Sequence, residues 1–297
     1  MRSLRYFLLH PKDIIISSVL KLRRLLPDKL YLKVLFRLKV GYKLNLKNPK
    51  TFNEKLNWLK LYYHNPIFTV MADKLLVKEY VRNMIGDSYV VKCYGNWDSF
   101  EEIDFESLPD QFVLKTNHDS SGATICLSKN SFDYKKSQMR LSSLLENNWF
   151  WYLREWPYKN IKPQILAEEY LNDNHGSELR DYKFWCFNGV PTFMYVTNKG
   201  KNIRENFYDM DFNPVNINHG FKRQEPEVEK PVSFDLMKEL ASKLSHGIPF
   251  LRIDFFDVQG HVYFGEFTFY DWGGMSPFMT KEQDLYLGGL INITDLQ

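Results

Sequence analysis

The sequence predicts an α+β fold, in which helices and antiparallel hairpins alternate along the chain. Apolar residues recur at helical spacing after Thr51 and again after Asp73. Short apolar runs flank turn signals, of which Asn188-Gly189 is the strongest. The chain has 297 residues, 44% of them hydrophobic, which is enough for one large domain or two to three small ones.

Two helices have clear end signals. Thr51 and Glu54 have the spacing of a capping box, so a helix is predicted to begin there. A second helix is predicted from Asp73, as its N-cap, to Gly86, where glycine favours a helix end. The apolar positions of the first helix are Phe52, Leu56, Leu59 and Tyr63.

The rest of the chain alternates strands, turns and helices. In order, we predict a strand at 112–115, a loop at 117–122, a returning strand at 123–127, a helix at 133–155, a buried strand at 164–171 ending in a hinge, a hairpin at 181–198, a long polar surface excursion at 199–231, a helix at 234–246, a hairpin at 252–268 and a Gly-rich end at 271–274.

Composition excludes several classes of protein. The three cysteines, Cys93, Cys126 and Cys186, are scattered, with no spacing suited to zinc or a disulfide framework. They indicate a reducing cytoplasm, with each thiol acting as a small buried hydrophobe. No GxSxG, HExxH, GxGxxG or Walker A motif is present.

Charge is unevenly distributed. Residues 1–47 hold 12 Lys/Arg and 2 Asp/Glu, a balance of +10, and the remainder holds 27 and 34, a balance of −7. Within the basic segment an apolar run at 14–20 is too short to span a bilayer. A basic helix on an anionic membrane face and an ordinary surface helix are the alternatives. Nucleic acid is not expected, because no recognition motif accompanies the basic residues.

The hairpin at 252–268 carries charges on apolar strands, where charges need a partner or a metal. A three-residue turn at 258–260 would make Arg252 face Glu266 and leave Asp254 on the same face, diagonal to Glu266 at roughly 7–8 Å. Two carboxylates and an arginine in this arrangement suit a magnesium and phosphate site. An internal ion-pair cluster is the alternative at this point.

Other motifs are weaker by themselves. Lys115 ends a strand before a Ser/Gly loop that could cover phosphates, or could be a mobile surface hairpin. Lys74 begins a helix and by itself is an ordinary solvated lysine. Glu168 and Glu169 end an apolar strand at a hinge that could read an adenine edge, or are solvated carboxylates. Asp181 could accept hydrogen bonds from ribose hydroxyls, or form a surface ion pair with Lys183, which shares its face.

Taken in order, these signals resemble the ATP-grasp superfamily, which includes D-alanine–D-alanine ligases. Within it the chain looks most like the teichuronopeptide-biosynthesis (TupA-like) ATP-grasp family. The similarity spans roughly residues 35–280. It rests on the sequence segments 48–56, 72–74, 108–115, 181–189 and 263–266.

The resemblance implies an ATP-grasp fold, with two α+β subdomains gripping ATP after a helical basic N-terminal segment. The implied divisions are 1–72, 73–165 (with the phosphate lid) and 166–297 (with the metal hairpin). It also implies ATP and Mg²⁺ as cofactors. The implied ATP-binding residues are Lys74 and Lys115 on the phosphates, Ser120, Ser121 and Gly122 in the lid, Glu168, Glu169 and Leu171 at the adenine hinge, and Asp181 with Lys183 near the ribose. The implied metal ligands are Asp254, Glu266 and Thr268, and the implied catalytic residues are Arg252 and Lys115.

The implied activity is that of an ATP-dependent carboxylate–amine ligase that forms an amide through an acyl phosphate. The expected substrates are a uronic acid of a cell-surface polysaccharide and an amino acid or other amine. The expected location is cytoplasmic, peripheral at the inner face of the membrane through residues 1–47. The alternatives are a sugar kinase on the same fold, a metal-dependent glycosyltransferase using the DxD motif Asp209-Met210-Asp211, and a non-catalytic nucleotide-binding partner of a membrane synthesis complex.

This chain differs from the superfamily pattern in three places. Thr268 stands where many ATP-grasp enzymes have asparagine, Asp119 adds a negative charge at the lid, and Asp271-Trp272 replaces smaller residues near the acceptor pocket.

Overall fold

The computed structural model describes residues 11–119, 123–172, 179–197 and 203–296. Its mixture of helices and two antiparallel sheets confirms the predicted α+β class. Helices precede the first strand: α1 (Pro11–Lys21), α2 (Asp28–Lys39), α3 (Phe52–Tyr62), α4 (Ile67–Ala72) and α5 (Val77–Ile85).

The capping box that begins α3 forms as predicted. The Thr51 hydroxyl accepts a hydrogen bond from the Glu54 backbone N–H at 3.1 Å. The Glu54 carboxylate in turn accepts from the Thr51 N–H at 3.2 Å and from the Lys50 N–H at 2.9 Å. These contacts satisfy backbone donors that a helix start leaves without partners, which fixes where α3 begins.

The smaller sheet contains four strands in the order β1-β4-β2-β3. The strands are β1 (Cys93–Trp97), β2 (Phe112–Thr116), β3 (Thr124–Cys126) and β4 (Ile165–Glu169). Between β3 and β4 lie α6 (Tyr134–Leu145) and α7 (Phe150–Leu153), so the single helix predicted at 133–155 is interrupted. The predicted subdomain boundary between residues 165 and 166 falls at the start of β4, which pairs with β1 and β2. The boundary itself stays a prediction.

The larger sheet contains six strands in the order β10-β9-β5-β6-β7-β8. The strands are β5 (Asp181–Phe187), β6 (Val190–Thr197), β7 (Glu205–Tyr208), β8 (Pro214–Val215), β9 (Phe250–Val258) and β10 (His261–Thr268). The prediction of a polar surface excursion at 199–231 is wrong at β7, because all four residues of β7 are buried and the strand pairs with β6. One face of the sheet packs on α8 (Phe234–Ser245), where the Phe184 and Phe234 rings lie 5.7 Å apart.

The turn of the β9–β10 hairpin differs from the prediction. It contains two residues, Gln259 and Gly260, both with positive φ (55° and 87°). Positive φ at both central residues is typical of the primed turns that join twisted antiparallel strands. His261 therefore pairs with Val258, and the predicted pairing of His261 with Asp257 is wrong.

A β-bulge at Gly265 brings the charged side chains back to one face. The register shifts by one residue there, so Glu266 lies opposite Asp254 and Thr268 lies opposite Arg252. The predicted partner of each residue is wrong by two positions, but an even shift keeps the same face. A side chain at Gly265 would place its Cβ 3.0 Å from the Asp254 carbonyl oxygen, which favours glycine at the bulge.

The main hydrophobic core lies between the N-terminal helices and the larger sheet. It includes Tyr31 and Phe36 of α2, Phe52 of α3 and Trp185 of β5, and Phe52 stacks on Trp185 at 5.1 Å. A separate, smaller core lies beneath β1–β4 and α6. Because α2 and α3 contribute to the main core, they hold the sheet that carries the charged hairpin.

The C-terminal helix α9 (Lys281–Leu290) provides a test of this packing. A Cβ on Gly288 would lie 2.1 Å from the Lys50 carbonyl oxygen, whereas a Cβ on Gly289 meets nothing within 4 Å. Gly288→Ala should therefore destabilise the protein by at least about 2 kcal/mol through overpacking. Gly289→Ala should be neutral or stabilising by up to about 1 kcal/mol. Urea unfolding of both variants measures this, and equal stabilities would contradict the packing of α9 on Lys50.

The first two helices and the link between them leave apolar side chains exposed beside basic ones. Leu25 is 78% exposed, and Ile15, Leu22 and Leu30 are also exposed. Among the described residues, no helix is both long and apolar enough to cross a membrane.

Candidate active site

A row of polar side chains crosses four neighbouring strands of the larger sheet. Tyr195 of β6 pairs with Lys183 of β5, Lys183 pairs with Asp254 of β9, and Asp254 pairs with Glu266 of β10. Residues directly opposite each other on antiparallel strands share a face. The sheet therefore brings Lys183, Asp254 and Glu266, all predicted as site residues, into one line.

Arg252 lies on the same face and binds three carboxylates. Its guanidinium donates to Asp254 at 2.7 and 2.9 Å, to Glu266 at 2.8 Å and to Asp271 at 2.6 Å. Burial alone would lower the pKa of Arg252, but the negative charges around it, Asp254 first among the carboxylates, raise that pKa well above its ordinary value. Arg252 is therefore a fixed cation at the centre of the site.

Lys183 provides the second cation of the row. Its ammonium lies 2.6 Å from Asp254 and 3.4 Å from Asp181. Burial would lower the pKa of Lys183, but Asp254 and then Asp181 raise it. For Asp254 burial acts in the opposite direction, and Arg252 followed by Lys183 lowers its pKa overall.

The formal charge of this cluster is negative. Arg252 and Lys183 contribute +2, and the carboxylates that contact them contribute −4, which leaves −2. These carboxylates are Asp181, Asp254, Glu266 and Asp271. An excess of carboxylate oxygens suits a hard divalent cation such as Mg²⁺.

The predicted metal ligands have suitable chemistry and close positions. Asp254 and Glu266 are direct cross-strand partners, and the Thr268 hydroxyl donates to Glu266 at 3.4 Å. Arg252 Nη2 contacts both carboxylates and so lies between them. Among the described residues no group of three His, Cys, Asp or Glu side chains has metal-binding geometry, so the ligand assignment stays a prediction.

Lysines from the other part of the chain form a second charged cluster. The Lys115 ammonium of β2 forms an ion pair with the Glu168 carboxylate of β4. The Lys78 ammonium of α5 lies 2.7 Å from the same carboxylate. Burial raises the pKa of Glu168, but Lys115 and then Lys78 outweigh burial and lower it overall. Glu168 is therefore a buried anchor for two lysines and not a solvated carboxylate, while its part in adenine recognition stays a prediction.

Lys74 connects the two clusters. Its ammonium donates to the Asp119 carbonyl oxygen, and its backbone N–H donates to the Asn117 carbonyl at 2.9 Å. Lys74 also lines a narrow cleft together with Glu266 and Gly265. Burial lowers the pKa of Lys74, and Glu266 is the charge that opposes this most. The predicted phosphate lysine and the predicted metal ligand thus border one cleft.

The other predicted ATP residues are placed with less detail. Glu169 ends β4, and its N–H donates to the Lys92 carbonyl at 3.0 Å. Leu171 follows as a half-buried residue. Ser120, Ser121 and Gly122 lie outside the described residues.

Sequence reasoning missed several residues that complete the site. Tyr195 donates to Asp271 at 2.9 Å, and Asp271 in turn accepts from Arg252, so both fix the guanidinium. Tyr195 has no local sequence signal, and Asp271, noted in the sequence only as a departure near the acceptor pocket, gave no sign of its contact with Arg252. Lys78 does have a local sequence signal, since it lies four residues after Lys74 at the start of the same predicted helix.

The DxD motif has a structural explanation. Asp209 accepts hydrogen bonds from the Asp211 N–H at 2.9 Å and the Asn213 N–H at 2.8 Å. These contacts close the turn between β7 and β8. His118, in the loop predicted at 117–122, is buried, and its ring lies 3.0 Å from the Asn147 carbonyl and 3.2 Å from the Leu144 carbonyl.

Comparison with solved structures gives distant similarities to D-alanine–D-alanine ligases. The ligase from Bacillus anthracis is 14% identical, with 74% of this chain and 59% of that chain covered and a TM-score of 0.38. The ligase from Helicobacter pylori is 13% identical, with 83% of this chain and 69% of that chain covered and a TM-score of 0.45. D-alanyl-alanine synthetase A from Vibrio cholerae O1 biovar eltor str. N16961 is 14% identical, with 80% of this chain and 62% of that chain covered and a TM-score of 0.44. This chain thus spans about six-tenths of the Bacillus anthracis ligase's length.

No curated protein sequence matches this chain. The sequence profile described as "TupA-like ATPgrasp" matches residues 54–292, which is most of the chain. That span contains both sheets and both charged clusters. The chain therefore belongs to the TupA-like ATP-grasp family and has the α+β ATP-grasp fold.

Proposed function

We propose that this protein is an ATP- and Mg²⁺-dependent carboxylate–amine ligase that works through an acyl phosphate. The observation that carries the proposal is the row Lys183–Asp254–Glu266, with Arg252 joining its carboxylates and Lys74 across a narrow cleft. Phosphoryl transfer needs positioning and charge neutralisation more than it needs covalent groups. Fixed cations beside an excess of carboxylate oxygens meet both needs.

Each charged residue has a role in this proposal. Lys74 and Lys115 would bind phosphate oxygens, while Glu168 holds Lys115 and Lys78 in position. Because the Glu168 carboxylate is bound to lysines, we assign adenine recognition to the backbone from Glu169 to Leu171. Ser120, Ser121 and Gly122 would cover the phosphates, and Asp181 would accept from the ribose.

The hairpin would hold the reacting groups. Asp254, Glu266 and Thr268 would hold Mg²⁺, which when bound offsets negative charge on the phosphate oxygens. Arg252 would then shift part of its hydrogen bonding from the carboxylates to the transferred phosphoryl group. Its planar fork can do so because it presents several donors at once.

For the substrates we propose a uronic acid of a surface polysaccharide as the carboxylate and an amino acid or another amine as its partner. The support is the chain's membership in the TupA-like family, which is named for teichuronopeptide synthesis. The three free cysteines agree with a reducing compartment, so we place the reaction on the cytoplasmic side.

The ligase proposal predicts a strict requirement for two substrates. Purified protein with ATP and Mg²⁺ should release ADP and phosphate only when a carboxylate and an amine are both present, because the acyl phosphate must be consumed. Coupled ADP assays across uronic acids and amino acids, with mass spectrometry of the amide, measure this. Release of ADP with a stable phosphorylated sugar would instead support the sugar kinase.

The kinase remains the second candidate, because the same charged clusters would serve transfer to a hydroxyl. The glycosyltransferase is not favoured, because Asp209 is engaged in closing a turn.

We also propose that the N-terminal helices contact an anionic membrane surface. The exposed leucines Leu22 and Leu25 alternate with the exposed cations Lys21 and Arg24. Apolar insertion beside basic residues is the combination that binds anionic bilayers, at about 1 kcal/mol for each basic residue near the surface.

Leu25→Glu should weaken binding to phosphatidylserine-containing vesicles by about tenfold, because it removes an apolar contact and adds a repelled charge. Val232→Glu is the matched control, since Val232 is an exposed apolar residue elsewhere on the surface. Co-sedimentation measures both variants. Equal binding by the two, or equal binding to phosphatidylcholine vesicles, would contradict the membrane contact.

A further inference from the structure

Lys60 of α3 is a buried cation that no assigned role uses. The residue is only 2% exposed. Burial lowers the pKa of Lys60 to about 8, although the negative charge of Glu155 opposes this. The Lys60 ammonium donates to the Gly273 carbonyl at 2.5 Å and to the Asn57 side chain at 3.3 Å. Because burying an ammonium group is costly, the contact that it makes with the backbone calls for an explanation.

Lys60 belongs to a polar stripe on α3. Asn53, Asn57 and Lys60 are spaced i, i+4 and i+7, so they lie on one face of the helix. All three are at most 2% exposed. The Asn53 side chain donates to the Ser276 carbonyl at 3.0 Å, and the Asn57 side chain donates to the Gly274 carbonyl at 2.7 Å. Together with the Lys60 contact, α3 supplies donors to three carbonyls of one short segment.

This segment contains a turn in an unfavourable backbone conformation. Trp272, Gly273 and Gly274 all lie in the left-handed region, with φ of 47°, 63° and 57°. A tryptophan in this region is strained, and such a residue persists only where surrounding contacts hold it. The Gly273 N–H also donates to the Tyr270 carbonyl at 2.6 Å, which closes the turn around Asp271. The donors of α3 therefore hold a strained turn in place.

The turn carries Asp271 to the proposed active site. The Asp271 carboxylate is buried and accepts hydrogen bonds from Arg252 at 2.6 Å and from Tyr195 at 2.9 Å. Arg252 in turn donates to Asp254 and Glu266, the proposed metal ligands. A path of direct contacts thus leads from α3 through the turn to the guanidinium.

We propose that Lys60 is a positioning residue of the reaction, because it fixes the turn at 271–274 and the turn aims Asp271 at Arg252. This inference rests on the proposed ligase function. Lys60 touches no substrate, and it acts through Asp271, which limits the directions in which Arg252 can donate to the transferred phosphoryl group. The inference assigns part of the active site to the N-terminal segment 1–72, outside the two subdomains expected to grip ATP.

Two lysines of α3 allow a matched comparison. Lys55 also donates to a backbone carbonyl, that of Ile291 at 2.6 Å, but this contact holds the end of α9 and not the turn. With the substrates found by the ADP assay, Lys60→Met should lower kcat by about 10- to 100-fold, the loss expected when a catalytic group moves by about 1 Å. The KM for ATP should stay unchanged. Lys55→Met should leave both constants unchanged.

Further variants separate positioning from folding. Lys60→Arg keeps the charge and the donors, so it should recover part of the lost kcat. Lys60→Gln keeps a donor without the charge and should give a smaller loss than Lys60→Met, and it provides the test if Lys60→Met does not fold. Urea unfolding shows which variants are folded. Unchanged kcat in folded Lys60→Met and Lys60→Gln proteins, or equal losses in Lys60→Met and Lys55→Met, would overturn the inference.

Fluorine NMR tests the anchored turn without turnover. With 5-fluorotryptophan in place of the seven tryptophans, Trp272→Phe identifies the Trp272 resonance. Lys60→Met should shift or broaden this resonance, and Lys55→Met should leave it in place. An unchanged Trp272 resonance in Lys60→Met would overturn the inference. A changed resonance, in a protein whose unmodified form turns over no pair of carboxylate and amine, would support the anchored turn and overturn the ligase function.

Discussion

Arg252→Ala is expected to abolish ligase turnover, lowering it by on the order of 1000-fold, the loss typical when an arginine that stabilises a transferred phosphoryl group is removed. The same change should lower the free energy of unfolding by about 3–5 kcal/mol, because breaking a buried ion pair leaves uncompensated charges. Three carboxylates, Asp254, Glu266 and Asp271, would lose their shared donor.

Two further variants separate chemistry from folding. Arg252→Lys keeps the charge but loses the planar fork, so it should recover much of the stability and little of the activity. Arg223→Ala is the matched control, because Arg223 is an exposed arginine whose pair with Glu227 is on the surface. ADP release and urea unfolding of all three variants provide the measurement. Near-normal activity in a folded Arg252→Ala protein would contradict the role of Arg252.

The hairpin shows how far the sequence could predict this site. Charges at Arg252, Asp254 and Glu266 on apolar strands predicted a shared face, and that face is observed. The exact partners were wrong because a two-residue turn and a bulge replaced the three-residue turn. A one-residue shift would have separated the charges, but the turn and the bulge at Gly265 together keep the even spacing.

Glu168 shows what sequence could not predict. Its position at the end of an apolar strand suggested a hinge residue or a solvated acid. Its actual partners, Lys115 and Lys78, come from β2 and α5, and only the assembled fold brings them together. Contacts of this kind depend on the order of strands in the sheet, β1-β4-β2-β3, for which the local pattern has no signal.

Asp271 is a further example. It lies in the short irregular segment that follows β10, where sequence periodicity gives no orientation. From there its carboxylate accepts a hydrogen bond from Arg252 at 2.6 Å. Predicting this contact would have required the backbone path in addition to the residue types.

Glu266→Gln is expected to remove most of the magnesium dependence of ATP binding. Glu266 lies opposite Asp254 and borders the cleft that Lys74 lines, and in the proposed function it would hold Mg²⁺. Glutamine keeps the size and one oxygen but removes the charge that a hard cation requires. The affinity for ATP with Mg²⁺ should fall by at least about tenfold, or about 1.4 kcal/mol.

The matched control is Glu239→Gln, which makes the same change on the surface of α8, where Glu239 pairs with Lys243 at 2.7 Å. The deciding measurement is calorimetric titration of ATP into the unmodified protein and both variants, with Mg²⁺ and with a chelator in its place. We predict that Mg²⁺ strengthens ATP binding in the unmodified protein and in Glu239→Gln, and that Glu266→Gln loses this gain. An unchanged magnesium effect in Glu266→Gln would contradict the assignment of this hairpin as the ATP–magnesium site.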